Sequence, residues 1–398
     1  MEIAVQDWAS LLVRWVHIIT GIAWIGASFY FIWLDLSLRQ REGMPEGAYG
    51  EVWSVHGGGF YHAQKYLVAP KHMPDELHWF KYESYFTWLS GFCLLAIMYY
   101  WGAASFLIDS DKMELANWQA ISISLAFLAL GWVVYDLICK SPLGQDTRVL
   151  GLLVFALLVA ASYGLSQVFS DRAAMLHVGA MIGTIMTGNV FFIIIPNQKI
   201  VVADLKNGRA PDPSLGKQAK QRSTHNNYLT LPVLLMMISN HYPMLTGAEK
   251  SWMIVALILL IGGIVRHYFN TAHTGANGKA LMWQWPVATL LMIGLILLVS
   301  VRSGEDVAAE DVIAAPQALA IIQTRCVACH ASQPADRDFE KAPGGVIFDT
   351  IESVHKNAAR ILAQAVLSKA MPLANKTGMT PEERKQLGGW IRAGMPDD

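Results

Sequence analysis

Cys326-Val327-Ala328-Cys329-His330 carries the most specific chemistry in the sequence. Two cysteines separated by two residues and followed directly by histidine form the attachment pattern of a c-type heme. The chemistry explains the spacing. Two thiols add across the two vinyl groups on one edge of the porphyrin, and the next histidine comes under the iron as proximal ligand. A zinc site would need two further Cys or His ligands close by, and His355 alone is at hand. A small cytochrome needs instead a second axial ligand on a loop before a terminal helix, and Met371-Pro372 supplies it. Met379 abuts the start of that helix and Met395 lies beyond its end, so both are worse placed. Thr380, Pro381 and Glu383 mark the helix start as N-cap, first position and capping-box partner. Leu387, Trp390 and Ile391 form its packing stripe. The expectation is one covalent heme c on Cys326 and Cys329, with His330 and Met371 as iron ligands. His/Met ligation raises the reduction potential and suits an electron acceptor.

Ionisable groups inside apolar segments are costly and are candidates for function. His17 stands about nine residues into the first apolar segment, roughly 14 Å along a helix at 1.5 Å per residue. His177 and His241 lie near segment ends. Aligned on Gly26 and Gly188, His17 and His177 differ by about 3 Å in depth. They form the polar centre of an expected outer-half site, either sandwiching a second, non-covalent heme b or contacting a polar substrate. The other reading is histidines hydrogen-bonded to neighbouring helices. Glu83, in Lys81-Tyr82-Glu83-Ser84-Tyr85, either holds a ligand or marks the membrane interface. Residues 50–82 contain His56-Gly57-Gly58-Gly59-Phe60-Tyr61-His62, then His72 and His78. This stretch is too glycine-rich for a helix and reads as a re-entrant or site-covering segment, or as a flexible solvated loop.

The elements that hold these residues follow from composition. The chain has 398 residues, 54% hydrophobic and 15% charged, against about 25% charged in ordinary soluble proteins. Residues 1–301 hold 19 Lys/Arg and 18 Asp/Glu, while residues 302–398 hold 11 and 13, so an apolar body precedes a tail of ordinary polarity. Disordered, collagenous and disulfide-scaffold classes are excluded, and a net charge of −1 argues against nucleic acid. Cys93 and Cys139, alone in apolar runs, read as packing residues. Eight stretches have the length and polarity of membrane spans: about 8–33, 80–101, 117–138, 149–169, 173–195, 226–246, 251–270 and 280–301. The first lacks the basic start and small-residue cleavage site of a signal peptide. The connections 34–82, 139–148, 196–225 and 266–279 carry 15 Lys/Arg, and the alternate ones carry three. The positive-inside rule then puts both termini outside, on the side where heme c is attached.

A shift of 162 residues superposes Gly21, Gly26, Phe29 and Tyr30 on Gly183, Gly188, Phe191 and Phe192. Either this is coincidence among glycine-rich helices or the body is a four-plus-four parallel duplication. The expected fold is all-α: an eight-helix transmembrane bundle over 1–301, an acidic linker 302–315, and a class I-like cytochrome c domain over 316–398.

The chain resembles the membrane-bound cytochrome c urate oxidases, or urate hydroxylases. The resemblance rests on Arg14-Trp15-Val16-His17-Ile18-Ile19-Thr20-Gly21-Ile22-Ala23-Trp24-Ile25-Gly26, the His56–Tyr61 run, Pro196-Asn197-Gln198-Lys199, Thr224-His225-Asn226-Asn227-Tyr228 and the heme-binding tail. It implies oxidation of urate to 5-hydroxyisourate in a bacterial cytoplasmic membrane. Electrons would pass to the fused heme and on to a soluble cytochrome c or terminal oxidase, with no peroxide formed. The residues are compatible: a planar, oxidisable anion needs a base, donors for its carbonyls such as Asn189 and Asn240, and aromatic surfaces. Two other classes fit the same layout: a membrane-anchored electron-relay subunit, and a transporter with an accessory cytochrome.

Overall fold

A computed structural model describes residues 5–66, 73–248, 250–300 and 312–396. His72 and linker residues 302–311 lie outside the described residues. The chain is mostly helical. Helix α1 spans Val5–Ser37, 33 residues, about 50 Å at 1.5 Å per residue. Helix α2 spans Tyr82–Leu95 and passes into a π-helical turn at Ala96–Tyr100. Helix α3 is Asn117–Lys140 and α4 is Thr147–Val168. Asp146 caps α4, its carboxylate accepting the Arg148 and Val149 amides at 2.7 and 3.2 Å. Helix α5, Asp171–Gly188, runs through a π-turn at Asn189–Ile194 into α6, Ile195–Lys206. Helix α7 is Pro213–Ile238, α8 is Ser251–His273 and α9 is Gln284–Ser300.

Among the described residues, six helices are long and apolar enough to cross a membrane: Val5–Ser37, Asn117–Lys140, Thr147–Val168, Asp171–Lys206, Ser251–His273 and Lys279–Ser300. The other two expected spans are helical but do not qualify. Helix α2 has 14 residues before its π-turn. Helix α7 gives its first half to polar residues, among them Lys217, Lys220 and Arg222, and holds Pro232 inside. Gly262 of α8 meets that proline. A Cβ on Gly262 would lie 2.6 Å from Pro232 Cδ, so glycine is what lets the two helices approach.

The all-α expectation needs one correction. Residues 48–66 form an antiparallel hairpin, β1 Ala48–His56 and β2 Gly59–Tyr66, with His56 opposite Gly59. Gly57 and Gly58 take φ of +59° and +78°, the left-handed pair that a tight two-residue hairpin turn demands. The glycines that argue against a helix here are the turn of a sheet. Trp53 stacks on His62 across the strands at 4.2 Å, and His62 meets Glu51 at 2.8 Å.

Two compact units emerge: Met1–Leu94 with Ile182–Leu234 and Ile258–Met292, and Leu95–Met181 with Leu235–Leu257 and Ile293–Asp398. In the first, α1 and α2 run antiparallel. His17 meets Gly91, Gly21 meets Thr87 and Phe31 meets Phe80. In the second, the C-terminal tail packs with the connections near residues 105–111 and 247. Ser105 hydrogen-bonds Asp338, Asn375 hydrogen-bonds Asp111, and a Cβ at Gly247 would collide with the Ser368 carbonyl.

The tail builds its own core. Helix α10, Ala315–Arg325, carries Pro316 in its first turn, and α11 is Pro381–Arg392. Ile321, Ile322, Met379, Leu387 and Trp390 are buried together, with Cys326 and Met371 packed against them. Thr380 and Glu383 form the expected capping box: the Glu383 amide reaches Thr380 Oγ1 at 3.2 Å, and the Thr380 amide reaches Glu383 Oε2 at 2.7 Å.

Candidate functional site

In the tail, α10 ends where the motif begins. The Cys326 carbonyl accepts the amides of Cys329 and His330 at 3.2 and 2.9 Å, so both cysteines and the histidine share one tight turn. Both thiols are free. Burial pushes Cys326 up to about 12, and burial together with the nearby Asp336 carboxylate pushes Cys329 up to about 11. His330 Nδ1 lies 2.9 Å from the Val346 carbonyl. A carbonyl can only accept, so Nδ1 carries the proton and Nε2 keeps its lone pair for a metal.

The Met371 segment is clamped. Arg384, 7% exposed, donates to the carbonyls of Ala365 and Met371 and to Asn375 Oδ1. Arg325 joins Glu383 at 3.0 Å and the Thr377 carbonyl. Met379 is sunk in the core, while Met371 is half-buried at its edge. Two free thiols on one turn, an imidazole with Nε2 to spare and a thioether on a pinned loop are the donor set a c-type heme requires. Among the described residues no three His, Cys, Asp or Glu side chains converge as a zinc site would need.

In the body, the sequence-derived candidates occupy different surroundings. His17 Nδ1 lies 3.0 Å from the Thr87 carbonyl and 3.1 Å from Ser90 Oγ on α2. Its Nε2 makes no hydrogen bond among the described residues. His177 is fully buried, and both its nitrogens are engaged: Nδ1 with the Ala173 carbonyl at 2.7 Å, Nε2 with Ser124 Oγ at 2.7 Å. Ser124 in turn meets Tyr100 OH at 2.8 Å. A heme b on His177 would have to displace one of these partners. Glu83 is half-buried in the first turn of α2. His17 and Glu83 belong to the first unit and His177 to the second. Asn240 Oδ1 accepts from Tyr99 OH at 3.1 Å and Arg172 Nε at 3.3 Å.

Sequence reasoning named Asn189, Asn226 and Asn227 but passed over the buried arginines linked to them by hydrogen bonds. Arg266, counted with a connection, lies within α8 and is buried, as is Arg222 in α7. Arg266 Nη2 donates to Asn270 Oδ1 at 3.2 Å, and Asn270 Nδ2 donates to Asn227 Oδ1 at 2.8 Å. Asn189 Nδ2 donates to Asn226 Oδ1 at 2.9 Å, and Arg222 approaches Asn189 at 3.5 Å. Tyr228 OH meets His267 Nδ1 at 2.9 Å, with the Trp283 ring 5.9 Å from His267. The available signal was that Arg266 falls inside the expected apolar span 251–270, although the charge count assigned it to the connection 266–279.

The second unit also holds a cleft of about 330 Å³ lined by Asp109, Asp111, Arg172, Asn240, Met371 and Arg384. Its acids and bases are mixed, and Lys112 bridges to Asp171 at 2.5 Å.

The class is thus a mostly helical protein with, among the described residues, six helices fit to cross a membrane and a small helical tail bearing a Cys-X-X-Cys-His turn. The family model of the urate oxidase N-terminal region matches residues 3–300, and the chain belongs to that family. Membership points to urate-related oxidoreductase chemistry. The tail follows the matched region. Comparison with curated proteins and with solved structures returns no match.

Proposed function

We propose that this chain is a membrane urate hydroxylase that delivers electrons to a heme c on its own tail. The balanced reaction takes urate and water to 5-hydroxyisourate, two electrons and two protons. The observation that carries the reading is the pairing of two features. One is the family match over residues 3–300. The other is a tail whose His330 holds Nε2 open while Nδ1 is tied to Val346. Cys326 and Cys329 would anchor the heme as thioethers, with His330 and Met371 as axial ligands. When bound, the heme supplies a one-electron acceptor, so each urate requires two successive transfers, and a downstream acceptor reoxidises the tail.

The chain's own groups do the rest. Val346 orients the His330 ring, and Arg384 fixes the backbone that presents Met371. In the body, His17 and Glu83 are the groups open to take protons. His177, held by Ala173 and Ser124, is at the end of a Tyr100–Ser124–His177 hydrogen-bonded chain along which a proton can move. The test is anaerobic addition of urate to purified holoprotein while the heme c spectrum is followed. Reduction by urate supports the reading. Reduction by quinol with none by urate would mark an electron-relay subunit instead.

A further inference from the structure

Helix α8 carries a guanidinium into apolar surroundings with no acid to meet it. Arg266 is 5% exposed. Its Nη2 reaches Asn270, its plane lies 4.1 Å over the Phe29 ring, and no carboxylate pairs with it among the described residues. Its buried Nε–H has no acceptor, and neither has Nδ2 of Asn227, the last member of the Arg266–Asn270–Asn227 chain. A buried donor left without an acceptor is costly, and more so when charged. A buried cation without a counter-charge is a binding site by default. Two orphaned donors on one linked triad therefore ask for a single ligand that is both anionic and rich in acceptors. Aromatic faces stand next in the chain: Tyr228 follows Asn227 and His267 follows Arg266, and these two rings are stacked 6.2 Å apart. The mixed cleft beside Met371 has no comparable surplus of positive charge.

We propose that Arg266, Asn270 and Asn227 bind the anionic edge of the substrate, a planar monoanion whose carbonyl oxygens accept from Arg266 Nε–H and Asn227 Nδ2–H. Urate is such an ion, so the inference rests on the proposed function and locates its substrate site.

The test uses the full-length holoprotein, reduced with dithionite so that no turnover occurs. Binding of radiolabelled urate is measured by equilibrium dialysis, with hypoxanthine as an uncharged competitor of similar shape. Wild type is expected to prefer urate. Arg266→Gln is expected to weaken urate binding about tenfold or more and to erase that preference. If Arg266→Gln does not accumulate, Arg266→Lys keeps the charge but loses the Nε–H and carries the same expectation of weakened urate binding. Asn227→Leu should weaken both ligands. Unchanged urate affinity in the Arg266 variants, or a wild type that does not discriminate the two purines, overturns the site. If urate still reduces heme c in wild type, the proposed function stands without it. A wild type that neither binds urate nor is reduced by it overturns both.

Discussion

At the scale of single residues, the tail assigns its side chains sharply and the body does so less. Met371 is half-buried on a loop whose carbonyl is held by Arg384, whereas Met379 is core. Met371→Ala should therefore keep covalent heme yet lose the methionine–iron absorption band and lower the potential; an unchanged band would move the ligand to Met379 or Met395. Cys326→Ala with Cys329→Ala should remove heme from denaturing gels while the helical body still inserts. His17→Ala and Glu83→Gln should leave heme c reducible by dithionite but strongly slow its reduction by urate. Normal urate-driven rates in both would exclude them as proton acceptors. The Cys-X-X-Cys-His turn was legible because its pattern fits in five consecutive residues. The Arg266–Asn270–Asn227 triad was not, since it joins positions about 40 apart on two helices, and a charge count treats a buried arginine like a solvated one.

Among the elements, α11 illustrates how local signals become stability. Thr380 and Glu383 read as a cap in the sequence, and both reciprocal hydrogen bonds are present. Thr380→Ala should cost about 1 kcal/mol of tail stability, and Trp390→Ala about 3–5 kcal/mol, as the indole is fully buried. Chemical denaturation followed by heme absorbance would measure both. Glu383 also makes the tail pH-sensitive. Burial raises its carboxyl, but the Thr380 amide and the Arg325 guanidinium outweigh burial and hold it below the ordinary value of 4.5. A depressed folded value means the stabilisation is present above about 4.5 and is lost as pH falls through the folded value. Glu383→Gln should flatten that part of the acid profile. The hairpin at 48–66 was hidden for a different reason. Its glycines spoke against a helix, and its strands mix His, Tyr and Trp without clean alternation, so the turn chemistry of Gly57-Gly58 was the one strand signal available.

For the whole molecule, apolar length and charge distribution carried most of what could be read. They place the long helices α1, α3, α4, α5 with α6, α8 and α9. They do not foresee that α7 begins at Pro213 and extends polar and helical far outside its apolar run. The proposed orientation has its own check: a reporter active only outside the cytoplasm should be active when fused after Asp398 and silent when fused near residue 210. Activity from the second fusion would break the positive-inside assignment. The central claim is that the body oxidises urate and its own tail takes the electrons. Purified holoprotein mixed with urate in the absence of oxygen tests it most directly. The account predicts that the reduced heme c spectrum appears, with one 5-hydroxyisourate formed for every two hemes reduced. An oxidised spectrum that persists with urate, in protein that dithionite readily reduces, would contradict it.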